Sequence, residues 1–223
     1  MWNHKKVYRV YIKLRLNKRV RLKKRLPKRE KQPLEAPKMP CETWSMDFVS
    51  DKLENGRTFR VLNVLDDCTR EAVAMEISMS MPASRVIKIL EKVIWVNGKP
   101  KKIRTDNGPE FISKELEQWC LANSIEHIFT QPGCPTQNSY VERFNGSYRR
   151  AVLDAYIFHT LDDARELTQA YRTDYNEDRP HESLGNLTPY EYKQRLLDDG
   201  VFLGMEEQSN ILLKEKDCPM EQP

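Results

Sequence analysis

Apolar and polar residues alternate from 43 to 49, with Trp44, Met46 and Phe48 on one side and Ser45, Asp47 and Val49 on the other, which predicts a strand. Further strands are predicted over 58–65, 72–77, 102–105 and 126–129, and helical periodicity predicts helices over 83–96, 113–123 and 136–157. In the last of these, Val141, Phe144, Tyr148, Val152 and Ala155 would face the core. Asn138, Glu142, Asn145 and Arg149 would line the opposite stripe. Residues 161–195 read as helical up to 176, turn at Arg179-Pro180 and restart after Thr188-Pro189. Three consecutive strands, then helices alternating with short strands, imply an α/β domain: a mixed five-stranded sheet with helices on both faces.

Ahead of that domain the pattern changes. Val7, Val10, Tyr11 and Leu14 follow helical spacing behind a potential N-cap at Asn3, and Lys5, Lys6, Arg9 and Lys13 surround them. From 17 to 38 the apolar spacing disappears while Arg and Lys crowd together between prolines, as in a basic linker. After Gly200 no pattern remains, and a disordered tail is expected. The expected division is a basic helical segment and linker over 1–40, a catalytic core with a helical extension over 41–197, and a tail over 198–223.

Charge sharpens this division. The formal net charge is only +4, yet residues 1–38 hold 15 Lys or Arg against 2 Glu. That segment is a candidate for phosphate backbone, with a solvated leader or a basic targeting signal as the alternatives. The five cysteines contain no Cys-x-x-Cys pair and the four histidines are scattered, which argues against a disulfide framework or a metal cluster built on thiols. No signal peptide and no run of 18 apolar residues is present, so the expectation is a reduced cytoplasmic protein without a membrane partner.

Candidate chemistry lies in three acids. Asp47 sits on the first predicted strand and Asp106 ends the short strand 102–105 before the turn signal Asn107-Gly108-Pro109. Glu142 lies on the polar stripe of the helix over 136–157, with 35 residues between it and Asp106. Open α/β sheets place ligands at such strand tips, and hard divalent cations need several convergent carboxylates. Asp51, Asp66, Asp67 and Glu110 are nearby acids that read as turn, cap or solvated residues. His181 suits a structural or DNA-contact role.

The segments WSMDFVSD, RVLNVLDDCTRE, IRTDNGPEF, FTQPGCPTQNSYVERFNGSYRR and YNEDRPHESLGNLTP resemble the catalytic protein of bacterial insertion-sequence transposases. These belong to the integrase-core superfamily, which shares a ribonuclease-H-like fold. The resemblance runs from about residue 3 to 195. It implies that Asp47, Asp106 and Glu142 are an Asp-Asp-35-Glu triad binding two Mg²⁺ or Mn²⁺ ions. It also implies phosphodiester hydrolysis and strand transfer at the ends of a mobile element, by way of a circular intermediate. Asn107, Asn138, Arg143, Asn145 and Arg149 become candidates for positioning phosphate or the acids, and Lys5, Lys6, Arg9 and Lys13 for binding DNA. The partners implied are terminal-repeat and target DNA, a second copy of the chain, and a helix-turn-helix portion encoded in an upstream frame, all at the bacterial nucleoid. Cys134 stands where Lys is frequent in this family. Two other readings stay open: a DNA-binding remnant that regulates transposition without cutting, and a ribonuclease H.

Overall fold

The computed structural model describes residues 3–16, 37–131 and 138–199. Most of the expected linker, the loop containing Cys134 and the tail beyond 199 lie outside these residues. The described residues form two compact units, the first containing α1 (His4–Lys13) and the second everything from residue 37 onward. Asn3 caps α1 as its sequence suggests, its side chain accepting from the Lys5 amide at 3.0 Å.

The second unit is built on β1 (Thr43–Lys52), β2 (Thr58–Asp66), β3 (Ala72–Ser78), β4 (Lys102–Thr105) and β5 (Glu126–Phe129), in spatial order β3-β2-β1-β4-β5. The first three pair antiparallel as successive hairpins, whereas β4 and β5 are parallel to β1. Parallel pairing needs crossovers, and α2 (Ala83–Asn97) and α3 (Lys114–Ala122) supply them. Ser113 caps α3 through the Leu116 amide.

The period-two pattern of the strands sorts the core into two layers. Trp44, Met46, Leu62, Val64 and Ile103 pack against Val86, Leu90, Val93, Leu116 and Cys120 of α2 and α3. Val49, Val61, Leu65 and Ile77 point the other way, toward α4 (Ser139–Tyr148) and α5 (Leu161–Thr173). The expected mixed sheet with helices on both faces is therefore present. Among the described residues no helix is long and apolar enough to cross a membrane.

The helix expected over 136–157 is shorter and changes pitch. After Tyr148 the chain widens into a π-helical turn, Arg149–Leu153. The extra residue in that turn shifts the phase, so Val152 and Leu153 both enter the core while Ala155, expected inside, is exposed. The segment after α5 also ends in a π-helical turn, Asp174–Asp178, and α6 (Pro189–Asp198) starts with a Thr188/Glu191 capping box.

This C-terminal segment seals an edge of the sheet. Arg172 donates to the carbonyls of Ala72 (2.8 Å) and Val73 (3.0 Å), while Asn176 accepts from the Ala72 amide at 2.9 Å and donates back to its carbonyl. Side chains thus bond the backbone at the start of β3, the edge strand, where pairing with another strand would begin. Arg172→Ala should lower the unfolding free energy by roughly 2–3 kcal/mol, the scale of charge-assisted bonds whose acceptors lose their donor. Urea denaturation of the two proteins measures the difference.

Candidate active site

The sheet register brings the first two acids together. β1 and β4 run parallel with Thr43 opposite Lys102, Trp44 opposite Ile103 and Ser45 opposite Arg104. Continuing that register by two residues sets Asp47 beside Asp106, one residue beyond the end of β4. Strand spacing there is about 4.8 Å. Asp47 shares the face of Ser45 and Val49, the face that α4 covers, and Glu142 lies on α4 with its side chain exposed.

Asp47 is the most constrained of the three. Its Oδ1 accepts from the Phe48 amide at 2.8 Å and its Oδ2 accepts from Asn145 Nδ2 at 2.8 Å. Burial pushes its carboxyl up to about 6, and the nearby carboxylates of Asp106 and Glu142 add to the rise against these two hydrogen bonds. The electrostatic reach of both other acids at Asp47 places all three in one field. Asp106 is held in a tight turn, its Oδ1 accepting from the Gly108 amide at 3.0 Å. A Cβ at position 108 would come within 3.1 Å of that same oxygen, so any larger residue there would press the Asp106 carboxylate aside by a few tenths of an ångström. Asn107 secures the turn by donating to the Thr130 carbonyl.

Behind Asp47 stands an amide relay that sequence patterning does not reveal. Asn63 lies opposite Asp47 on β2 and donates to Asn145 Oδ1 at 2.7 Å. Asn145 must therefore turn its own NH₂ toward Asp47. This fixes the orientation of both amides, because a flip of either would set two acceptors against each other.

The expected polar stripe on α4 is consequently split. Asn138 and Asn145 are buried, at 4% and 8% exposure, while Glu142 and Arg143 are exposed. Asn138 shows no side-chain cap on the helix it precedes. Arg149 reaches back to the Ser50 carbonyl at 3.1 Å. Lys5, Lys6, Arg9 and Lys13 lie on α1, in the separate first unit.

Two acids read as turn or solvated residues turn out to be interior. Asp66 does shape the turn, accepting from the Cys68 and Thr69 amides, but it is only 2% exposed and also takes bonds from the Cys41 amide and the Trp44 indole. Asp67 is fully buried and pairs with Arg104 at 2.6 Å. Glu110 pairs with Arg60, whose guanidinium also lies over the Phe48 ring. His181 packs edge-on against Tyr175 at 4.7 Å, and burial lowers its pKa, which suits the structural side of the structural or DNA-contact role expected of it.

Sequence models of the integrase core domain match residues 37–135 and 123–189. Over 190 residues the chain is 43% identical to an uncharacterized 39.2 kDa protein of insertion element IS476 from Xanthomonas euvesicatoria, spanning 85% of this chain and 55% of that one. It is equally identical to an uncharacterized 31.7 kDa protein of IS407 from Burkholderia multivorans, of which it spans 69%. The chain belongs to the integrase-core family of insertion-element proteins.

The fold agrees with this membership. The HTLV-2 integrase catalytic core, solved with magnesium in a trimeric form, superposes with a TM-score of 0.56 at 21% identity over 70% of this chain and 97% of that one. A chain of the simian T-cell lymphotropic virus intasome, solved with a PP2A regulatory subunit, gives 0.59 at 21% identity over 75% of this chain and 60% of that one. The ribonuclease-H-like integrase core is thus the fold of this protein.

A carboxyl whose pKa is higher in the folded than in the unfolded protein favours folding most when protonated. Asp47 therefore stabilises below about 4, and that contribution is lost as pH rises through about 6. Asp67, also raised to about 6, acts with the same sign in the same window. In the presence of a chelator, wild-type stability should fall between these values, and Asp47→Asn should flatten the fall in part. Thermal melts of both proteins across that range provide the check.

Proposed function

We propose that this integrase-core protein is a DNA transposase that hydrolyses a phosphodiester at the end of a mobile element and transfers the freed strand to another DNA site. The observation that carries the reading is the placement of Asp47 on β1, Asp106 one residue past the end of the neighbouring parallel strand β4, and Glu142 on the helix that covers the face of Asp47.

The donor set fits hard divalent cations. It consists of carboxylates alone, and after their internal hydrogen bonds Asp47 and Asp106 both keep lone pairs free. As the side chains stand, no group of three acidic, histidine or cysteine side chains among the described residues is gathered tightly enough to hold a metal ion. Binding would therefore draw the carboxylates inward, and Glu142, exposed on α4, has the most freedom to move. Two Mg²⁺ or Mn²⁺ ions held by this triad would supply Lewis-acid polarisation of phosphate and an activated water or hydroxyl.

The chain's own residues orient the reaction. Asn145 and the Phe48 amide hold Asp47, and the Gly108 turn holds Asp106. Arg143 and Arg149, on and just after α4, would contact phosphate in this reading, and the basic residues of α1 suit DNA outside it. In the first step water attacks phosphorus and the bond to the 3′ oxygen breaks, leaving a 3′ hydroxyl and a 5′ phosphate. In the second, that hydroxyl attacks another phosphodiester, forming one P–O bond as one breaks. Neither step needs a nucleophile from the protein. Two DNA ends must be held together, which calls for at least a dimer on DNA, and a helix-turn-helix partner would add recognition of the terminal repeats.

The test uses labelled duplex carrying the terminal sequences that flank the gene, with Mg²⁺. Wild-type protein should nick and join strands, whereas a shift in mobility without cutting would favour a regulatory remnant. Alanine at Asp47, Asp106 or Glu142 should reduce cutting by more than the roughly 10–100-fold typical of losing a supporting partner, with the mobility shift retained. Arg143→Ala and Arg149→Ala should instead weaken binding and reduce its salt dependence by about one phosphate contact each.

A further inference from the structure

The turn between β2 and β3 touches all three elements that carry the acids, and each time at the residue two positions before the acid. Ser45, two before Asp47, donates to Asp67 Oδ1 at 2.5 Å. Arg104, two before Asp106, donates to Asp67 Oδ2 at 2.6 Å. Tyr140, two before Glu142, lies beneath the Arg70 guanidinium at 3.3 Å from ring centroid to Cζ. Arg70 also donates to the Asp67 carbonyl, which closes the set.

We propose that Asp67 and Arg70 are positioning residues that fix the mutual spacing of Asp47, Asp106 and Glu142 for cation binding. On a strand, a residue and its neighbour two positions on share a face and lie roughly 6.5–7 Å apart. Clamping Ser45 and Arg104 onto one buried carboxylate therefore fixes the relative height of Asp47 and Asp106. The stack on Tyr140 ties the first turn of α4, and with it Glu142, to the same point. Local strain agrees with a positional role. Arg70 has φ 62°, a left-handed conformation that L residues disfavour, and its guanidinium meets both the Asp67 carbonyl and the Tyr140 ring.

This inference rests on the transposase reading, and the experiment separates the two. Arg70→Lys keeps the charge but loses the flat fork that stacks and donates at once. Tyr140→Ala removes the stacking surface and Tyr140→Phe keeps it. Asp67→Asn is the most direct variant, but it leaves Arg104 buried without its partner carboxylate, so the partly exposed pair Arg70 and Tyr140 carries the test if that protein fails to fold. Each protein is checked by circular dichroism, titrated with Mn²⁺ by electron paramagnetic resonance, shifted on the terminal duplex, and assayed for nicking.

Folded Arg70→Lys and Tyr140→Ala should bind Mn²⁺ about 10–100-fold more weakly and nick with a lowered kcat while shifting DNA as wild type does. Tyr140→Phe should restore both. If wild type neither binds Mn²⁺ nor nicks, the transposase reading fails and takes the positioning role with it. If wild type does both and the folded variants match it within about twofold, or if their loss is confined to DNA affinity, the positioning role alone is wrong.

Discussion

Three negatively charged groups held in one field repel one another, and the scaffold must supply the order that their own interactions oppose. In this protein the parallel pairing of β1 with β4 does most of that work. It sets Ser45 opposite Arg104 by backbone pairing, and continuing that register by two residues brings Asp47 and Asp106 to matching heights. Glu142 comes from a helix packed over the same face, held by Val141, Phe144 and Tyr148 in the apolar layer. The antiparallel hairpins on the other side of β1 add the second constraint, because Asn63 reaches Asp47 only through their register.

The site therefore inherits its precision from the hydrophobic layers. Val61 and Leu65 flank Asn63 on β2, so the amide relay sits in a narrow polar gap within an otherwise apolar face. A carboxylate in such a gap is desolvated, and that burial, with its acidic neighbours, pushes its pKa up to about 6. Bound cations would relieve both effects, which makes the cation-free arrangement the less stable one. Sites prepared for charge that arrives later are commonly built this way.

Much of this was legible in the chain. The five strands and the helices α2 and α3 follow from alternation and periodicity, and the three acids stand out because each ends or rides a predicted element. What patterning could not show is which polar residue faces inward. Asp66 and Asp67 look like a hairpin turn, and their burial depends on Trp44, Ser45 and Arg104, which lie 22 to 37 residues away in sequence. Asn145 falls on the polar side of an ideal α4, but that side meets the sheet at Asp47, so an apparently solvated amide becomes an interior one. Ala155 failed for another reason: periodicity assumes constant pitch, and the wide turn at Arg149–Leu153 breaks it.

Strand geometry explains why the acids are secured on two sides. Residues adjacent to an acid on a strand point into the opposite layer, and there Phe48 stacks on Phe111 at 4.8 Å while Arg60 spans Phe48 and Glu110. That cluster joins the strand of Asp47 to the segment just after Asp106 from behind the sheet. Residues two positions away share the acid's own face, and there Ser45 and Arg104 meet on Asp67. Asp47 and Asp106 are thus fixed relative to each other through both layers, whereas Glu142 is tied only through its helix and the stack on Tyr140. The asymmetry suits the chemistry. Under the proposed reading, two carboxylates would set a rigid edge against which phosphate could be aligned, and the third would close on the cations.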